Sequence, residues 1–484
     1  MENTGANQGK ELNTTFKLNY KRTIIIGFAF FGILLLWQVY DSWCPTFLTE
    51  LFKEALNASS EEEVQYLVGI MMALDNLAAL IMLPIFGRLS DKTHTKLGKR
   101  MPYILIGTLL CAICFPFVPV FFHMHSLVGT IIMMAVVVFF AMMYRNPAVA
   151  LMPDITPKPL RSKANGIINI MGYLGGACAT LTGIVFVLTK YLSGTNGSWA
   201  DGTSSIWIIE APFLIASVLM IVSAAVLFFT INENKIEAEM KDEMARGEKV
   251  AAVVNSVEED DKKPMSKANK TMLILILAAE FLWFMADNGI GTFMSNYTIY
   301  YLGCGSDSNM INVIVGGVGS VIGFAIGGIV AGKIGRKRSI FAGLGLTGLS
   351  YLVWLILSIT ISRSSPSGIG ENPFPIYLYF VWFFKGIGMS FVHVNSYPMV
   401  VELCSSKKVG LFTGFYYASS MAAQTITPIA LGSLLLHPGF SFQLLPLYAL
   451  ALTAGAGIIF IFVKNVKTKK TTIKKGLEAM DVDE

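Results

Sequence analysis

Read for apolar and polar positions alone, the chain alternates long apolar runs with short polar breaks. Twelve runs reach the length of about 20 residues that a helix rising 1.5 Å per residue needs to cross a hydrocarbon core of about 30 Å. In the first half they fall near Thr23 to Leu48, Tyr66 to Phe86, Tyr103 to Phe122, Leu127 to Met152, Asn165 to Thr189 and Ile206 to Ile231. In the second half they fall near Met272 to Leu302, Met310 to Val330, Ser339 to Ile361, Ile376 to Val401, Leu411 to Leu435 and Leu444 to Phe462. The pattern predicts an all-α membrane protein of twelve transmembrane helices, named spans one to twelve below. Residues 232–270 hold ten acids and eight bases and read as a solvated linker between two six-helix bundles, residues 23–231 and 271–463, with polar tails at 1–22 and 464–484.

Composition agrees: 54% of the 484 residues are apolar and 14% charged, against about a quarter charged in soluble domains. The net charge of +5 does not point to nucleic acid, because the bases are not spread evenly. With the amino terminus placed in the cytoplasm, 32 of the 37 lysines and arginines fall in loops and tails on one side. Lysine and arginine resist translocation, so that side is expected to be cytoplasmic and the chain to lie in the cell membrane with both termini inside. The first residues lack the short apolar core of a secretory signal. The six cysteines lie mostly within or beside apolar runs and suggest no disulfide framework.

Between spans two and three lies PIFGRLSDKTHTKLGKRMPYI, with six charges from Arg88 to Arg100. A second copy of its plan, GGIVAGKIGRKRSI, follows span eight. Each opens with a glycine near a helix end and closes on Gly plus bases: Gly87, Asp91, Gly98, Lys99 and Arg100 in the first, Gly335 and Arg336 in the second. The repeat halves the chain, and its motif resembles the signature of the major facilitator superfamily. Pro-x-x-Gly, Ser-Asp, Gly-basic-basic and Pro-Tyr-Ile in this hinge resemble the sucrose/proton and glycoside-pentoside-hexuronide:cation symporters. YRNPAVALMPDITPKPLRSKANGIINIMGYLGG and GIGMSFVHVNSYPMVVEL resemble the same branch.

The resemblance implies a major facilitator fold in two pseudo-symmetric six-helix bundles, with spans one, four, seven and ten around a central cavity. It implies a secondary active transporter that moves a sugar or glycoside by alternating access in proton-coupled symport, with the hinges as gating loops that latch the halves together on the inner side. The alternatives are a proton-coupled exporter of amphipathic drugs and a sugar sensor that does not transport. Sodium-coupled relatives carry two acids in span two where this chain has Ala79 and Leu83; a hard cation wants several oxygen ligands, so protons rather than sodium are expected. No H-E-x-x-H, G-x-S-x-G or P-loop sequence is present. No enzyme activity, cofactor or resident metal is expected; the partners are a small sugar, a proton and the bilayer.

Ionisable groups inside a span cost about 2.5–3.5 kcal/mol on insertion scales and mark function. Asp41, Arg145, Glu280, Asp287 and Lys385 fall in spans one, four, seven and ten, and Asp75 in span two. Asp41, Asp75, Glu280, Asp287 and Lys385 are the expected ion-coupling set. Counting depth at 1.5 Å per residue from the run ends places Glu280 level with Lys385. Acids, amides, arginine and aromatic faces suit sugar hydroxyls and C–H ridges, so Gln38, Asp41, Trp43, Arg145, Asn395 and Gln424 are the expected substrate contacts. Small residues at helical spacing in spans five and eight are expected to pack across the moving halves.

Overall fold

A computed structural model describes residues 16–193, 207–256, 267–360, 369–401, 403, 409–437 and 440–464. The outer parts of both tails, the linker stretch 257–266 and Cys404 lie outside them. Span one is helical over Tyr20–Leu56, span two over Gln65–Lys92, span three over Met101–Cys114 and again over Phe117–His123, and span four over Leu127–Asp154. Span five runs over Arg161–Val185 and Leu188–Leu192, span six over Trp207–Thr230, and a linker helix over Glu233–Ser256. Spans seven to twelve cover Lys267–Asn296, Ser306–Ile334, Arg336–Thr360, Ile376–Val401, Val409–Leu435 and Leu444–Ile461. Eleven of the twelve are long and apolar enough to cross a membrane. Span eleven is not among them, since its 27 residues include Tyr416, Tyr417, Ser419, Ser420, Gln424, Thr425 and Thr427.

Local chemistry sets several ends. The Asn19 side chain accepts from the Arg22 amide at 3.0 Å to start span one, and Ser126 caps span four through the Gly129 amide at 3.2 Å. These side chains satisfy amides that the first helical turn leaves unpaired. Span one spans 37 residues, about 55 Å at 1.5 Å per residue, so it projects beyond a hydrocarbon core of about 30 Å. Large apolar side chains such as Val185, Phe229 and Val321 face outward, a surface suited to lipid rather than water.

Each half has its own core. One cluster joins spans one to six with Ile236 of the linker helix, and takes in Ile299 from the turn that follows span seven. The second half holds two clusters, one around Trp354 and Phe442 and one around Trp283 and Phe460. Span one packs along spans five and six, and span eight along span ten. The halves meet where span two lies on span eleven, span five on span eight and span one on span seven.

The seam of spans two and eleven is made by backbone approach. A Cβ on Gly69 would sit 2.1 Å from the Pro428 carbonyl oxygen, and one on Gly432 would sit 2.5 Å from that of Gln65. The glycine stripes of spans five and eight work differently from expectation. Gly172 and Gly175 receive Leu34 and Phe31 of span one, and Gly319 and Gly323 receive Phe383 and Ile387 of span ten. They bring helices of one half together; the cross-half contact is Gly183 on Met310.

Candidate functional site: a cavity between the halves

A cavity of about 550 Å³ lies where the halves join. Its size falls within the range of small-molecule sites. Trp37, Gln38, Asp41 and Ser42 line it from span one because positions i, i+1, i+4 and i+5 share a helix face. Gln38 Nε2 donates to Ser42 Oγ at 3.1 Å along that face. Arg145 of span four places its guanidinium 5.8 Å from the centre of the Trp37 ring, a cation–π geometry, and its charge bears on Asp41. Asp75 also lines the cavity and accepts from Tyr40 Oη at 2.7 Å.

The opposite wall comes from the second half. Lys385 of span ten is ion-paired with Asp287 of span seven, and both line the cavity with Asn288, Asn309, Ser320 and Trp382. Gln424 lines it from span eleven, and its backbone oxygen accepts from Asn76 Nδ2 of span two at 3.2 Å. Pro428 lies four residues on and has no N–H to offer that oxygen. Asn76 therefore covers, from the other half, an acceptor that span eleven leaves open.

Three expected residues lie off this cavity. Trp43 is packed 6.1 Å from both Phe47 and Phe213 in the core of the first half. Asn395 donates to Ser339 Oγ at 3.1 Å and to the Phe391 oxygen at 2.8 Å. Glu280 is fully buried, and neither of its carboxyl oxygens has a hydrogen-bond partner among the described residues. Lys385 meets Asp287 rather than Glu280: Asp287 lies nine residues from the end of the span seven helix at Asn296, level with Lys385 nine residues from the start of span ten at Ile376, whereas Glu280 lies sixteen in, nearer the basic loops.

The end of the cavity away from the basic loops is closed by a buried network across the halves. Asn296, at the end of span seven, accepts from Thr46 Oγ1 at 3.0 Å and donates to Thr49 Oγ1 at 2.9 Å and Gln65 Oε1 at 3.0 Å. Span seven continues as a π-helical turn, Tyr297–Tyr301, which brings Tyr300 Oη to Glu50 Oε1 at 2.6 Å. No local motif announces this network, since its members are single polar residues far apart in sequence.

At the other end, the first hinge folds into its own half. Arg100 is ion-paired with Asp91 and, through Nε at 2.9 Å, with Asp154; Lys99 Nζ reaches Asp154 at 3.2 Å. Burial opposes the Arg100 charge, but Asp154 and Asp91 more than offset it and hold its pKa above the ordinary arginine value. The latch between halves expected of this loop is not what these ion pairs form in this conformation. Glu233, first residue of the linker helix, is a partner the sequence did not announce. It is buried and accepts from the Arg100 amide at 2.9 Å and the Met101 amide at 3.0 Å. Burial pushes its carboxyl above the usual glutamate range, against those amides, which pull the other way. Gly98, at φ 111°, leaves the room: a Cβ there would lie 2.2 Å from a Glu233 carboxyl oxygen. Gly87 likewise leaves room for Asn146 Nδ2, which donates to the Leu83 oxygen at 2.5 Å. In the second hinge Gly335, at φ 88°, ends span eight and Arg336 begins span nine.

Comparison with known proteins decides the family. The profile described as "Major Facilitator Superfamily" matches residues 23–371 and 276–480. The chain belongs to the Major Facilitator Superfamily. Solved structures share this superfamily fold across nearly the whole chain at low identity. The xylose transporter XylE from E. coli in its partially occluded inward open conformation has a TM-score of 0.62 at 12% identity, covering 93% of this chain and 100% of XylE. A bacterial homologue of the iron transporter ferroportin in an inward-facing state has a TM-score of 0.62 at 14% identity, covering 92% and 99%. In sequence, a stretch of 84 residues is 32% identical to the lactose permease of Lactobacillus helveticus. That stretch is 17% of this chain and spans 12% of the permease. As a member of this superfamily, helical in every span among the described residues, the chain is a multi-pass membrane transporter.

Proposed function

We propose that the protein moves a sugar or glycoside across the cell membrane by alternating access, in symport with protons. The observation that carries the reading is the cavity itself, where Trp37, Asp41 and Arg145 of one half face Asp287 and Lys385 of the other. An acid and a guanidinium fork onto hydroxyl pairs while an indole face takes C–H ridges. The stretch of likeness to a lactose permease supports the sugar class. With the basic loops taken as cytoplasmic, the closed end faces outward and the geometry is that of an inward-facing state.

Coupling falls to the acids of span seven. Asp287 is neutralised by Lys385, and Glu280 lies two turns away on the same helix face, buried without a hydrogen-bond partner among the described residues. A proton is the partner that neutralises such a carboxyl without disturbing the packing around it, and release toward Asp287 would let Lys385 change partners. Ala79 and Leu83 offer no side-chain oxygen for sodium. The test is uptake of labelled sugars into reconstituted vesicles under an imposed pH gradient, acid on the substrate side. Accumulation above the external concentration is expected, abolished by an uncoupler. Glu280→Gln should lose uphill accumulation at least tenfold and keep sugar exchange. If no sugar in a panel of hexoses, disaccharides and glucuronides accumulates, the reading falls.

A further inference from the structure

The second-half wall of the cavity carries amides outside the expected set of site residues. Asn309 lines the cavity from the first turn of span eight. It is 5% exposed, and its Oδ1 has no hydrogen-bond partner among the described residues. Asn288, beside Asp287, also lines the cavity, its Oδ1 likewise without a partner among them. Buried amide oxygens are nearly always bonded, and leaving one bare costs about 1–3 kcal/mol. A carboxamide turns about its last side-chain bond, so either oxygen is within a rotation of the cavity.

Their heights differ. A Cβ on Gly316 would lie 3.1 Å from the Trp382 ring, which sets Gly316 level with Trp382, one turn from Lys385. Asn309 lies seven residues nearer the closed end of the same helix, about 10 Å higher. The wall thus offers hydrogen-bonding groups at the level of the ion pairs, Asn288 beside Asp287, and again at the blind end, Asn309. That reach exceeds one sugar ring.

We infer that Asn309 forms a second subsite that takes hydroxyl groups of the distal ring of a two-ring glycoside, whose first ring lies beside Asn288 and against Trp37, Asp41 and Arg145. This rests on the transport reading above and extends it to ligand length. The arrangement has a mechanical meaning. A ligand held by one half alone has no differential affinity for the conformation in which the halves close, and so drives no population shift. A glycoside touching span one at one ring and span eight at the other binds the closed arrangement better than either open one.

The experiment is binding and counterflow on the full chain in vesicles, with hexoses and the disaccharides that contain them. Asn309→Leu should raise the half-saturation concentration for a bound disaccharide about five- to tenfold, the loss of one hydrogen bond, and leave that of the matching hexose unchanged. Asn309→Ser, which keeps a small polar group, guards against misfolding and should fall between. The subsite is overturned if Asn309→Leu moves hexose and disaccharide equally, or moves neither, while wild-type protein transports both. If the wild type binds neither hexose nor disaccharide, the sugar reading itself is overturned along with it.

Discussion

Residue by residue, the hinge shows what its glycine is for. Gly98 combines a positive φ with a space filled by the Glu233 carboxyl, so any side chain there is strained by about 1–3 kcal/mol and collides as well. Glu233→Ala leaves the Arg100 and Met101 amides bare, whereas Glu233→Gln keeps an acceptor. Hydrogen exchange at residues 99–101 should therefore quicken roughly tenfold or more in the alanine variant and change little in the glutamine variant. The pH response follows from the direction of the shift. With its docked pKa raised above the undocked value, Glu233 holds a proton more tightly when docked. The docked linker therefore gains as pH falls through the window just above the ordinary glutamate range and loses as pH rises through it. Protection at the same amides, taken relative to the intrinsic exchange rate at each pH, should rise on mild acidification, a response the glutamine variant should lack. Exchange that is unaffected by Glu233→Ala would remove the cap from the account.

Elements were legible in the chain to different degrees. Their number and order followed from apolar runs, because a bilayer leaves a helix no other way to satisfy its backbone. Span eleven, the least apolar, was still visible as a run although nine of its residues carry hydroxyl or amide groups. What the runs did not disclose was rotation about each helix axis. Depth counting placed Glu280 beside Lys385, but it measured the two from opposite faces; counted from the same end, at Asn296 and Ile376, it is Asp287 that lies level with Lys385. Trp43 was misplaced for a similar reason: it sits two residues from Asp41 and so faces away from it. The Asn296 network escaped because its members come from spans one, two and seven with no shared motif. It is also where an element-scale perturbation should act. Asn296→Ala strips Gln65 Oε1 of the donor it has from span seven and removes the bonds to Thr46 and Thr49 across the seam, at a cost of roughly 1–3 kcal/mol to the closed arrangement. Spin-label distances between spans one and seven at that end should shift toward longer values, with the open population rising about fivefold or more. An unchanged distance distribution would show that the backbone seam of spans two and eleven closes that end by itself.

For the molecule as a whole, the two-bundle plan was legible because the charged linker and the repeated hinge divide the chain visibly, and because the bases gather on one side. The conformation was not, since in the alternating access proposed above the same sequence closes at either end in turn. A cysteine placed at Gln38 or Asn288, both cavity-lining, should react with an impermeant thiol reagent applied from the basic-loop side. It should be several-fold slower from the other side, and adding Asn296→Ala should even the two rates. Equal rates in the unaltered network would mean that the closed end is no barrier.

The proline at position 428 has one more implication. When the seam parts, Asn76 withdraws from the Gln424 oxygen, and span eleven has no amide of its own to put back. In the proposed cycle each turnover must then hydrate that spot and dry it again, so the barrier to exposure includes the entry of solvent at a single place. The imino acid makes wetting part of the stroke.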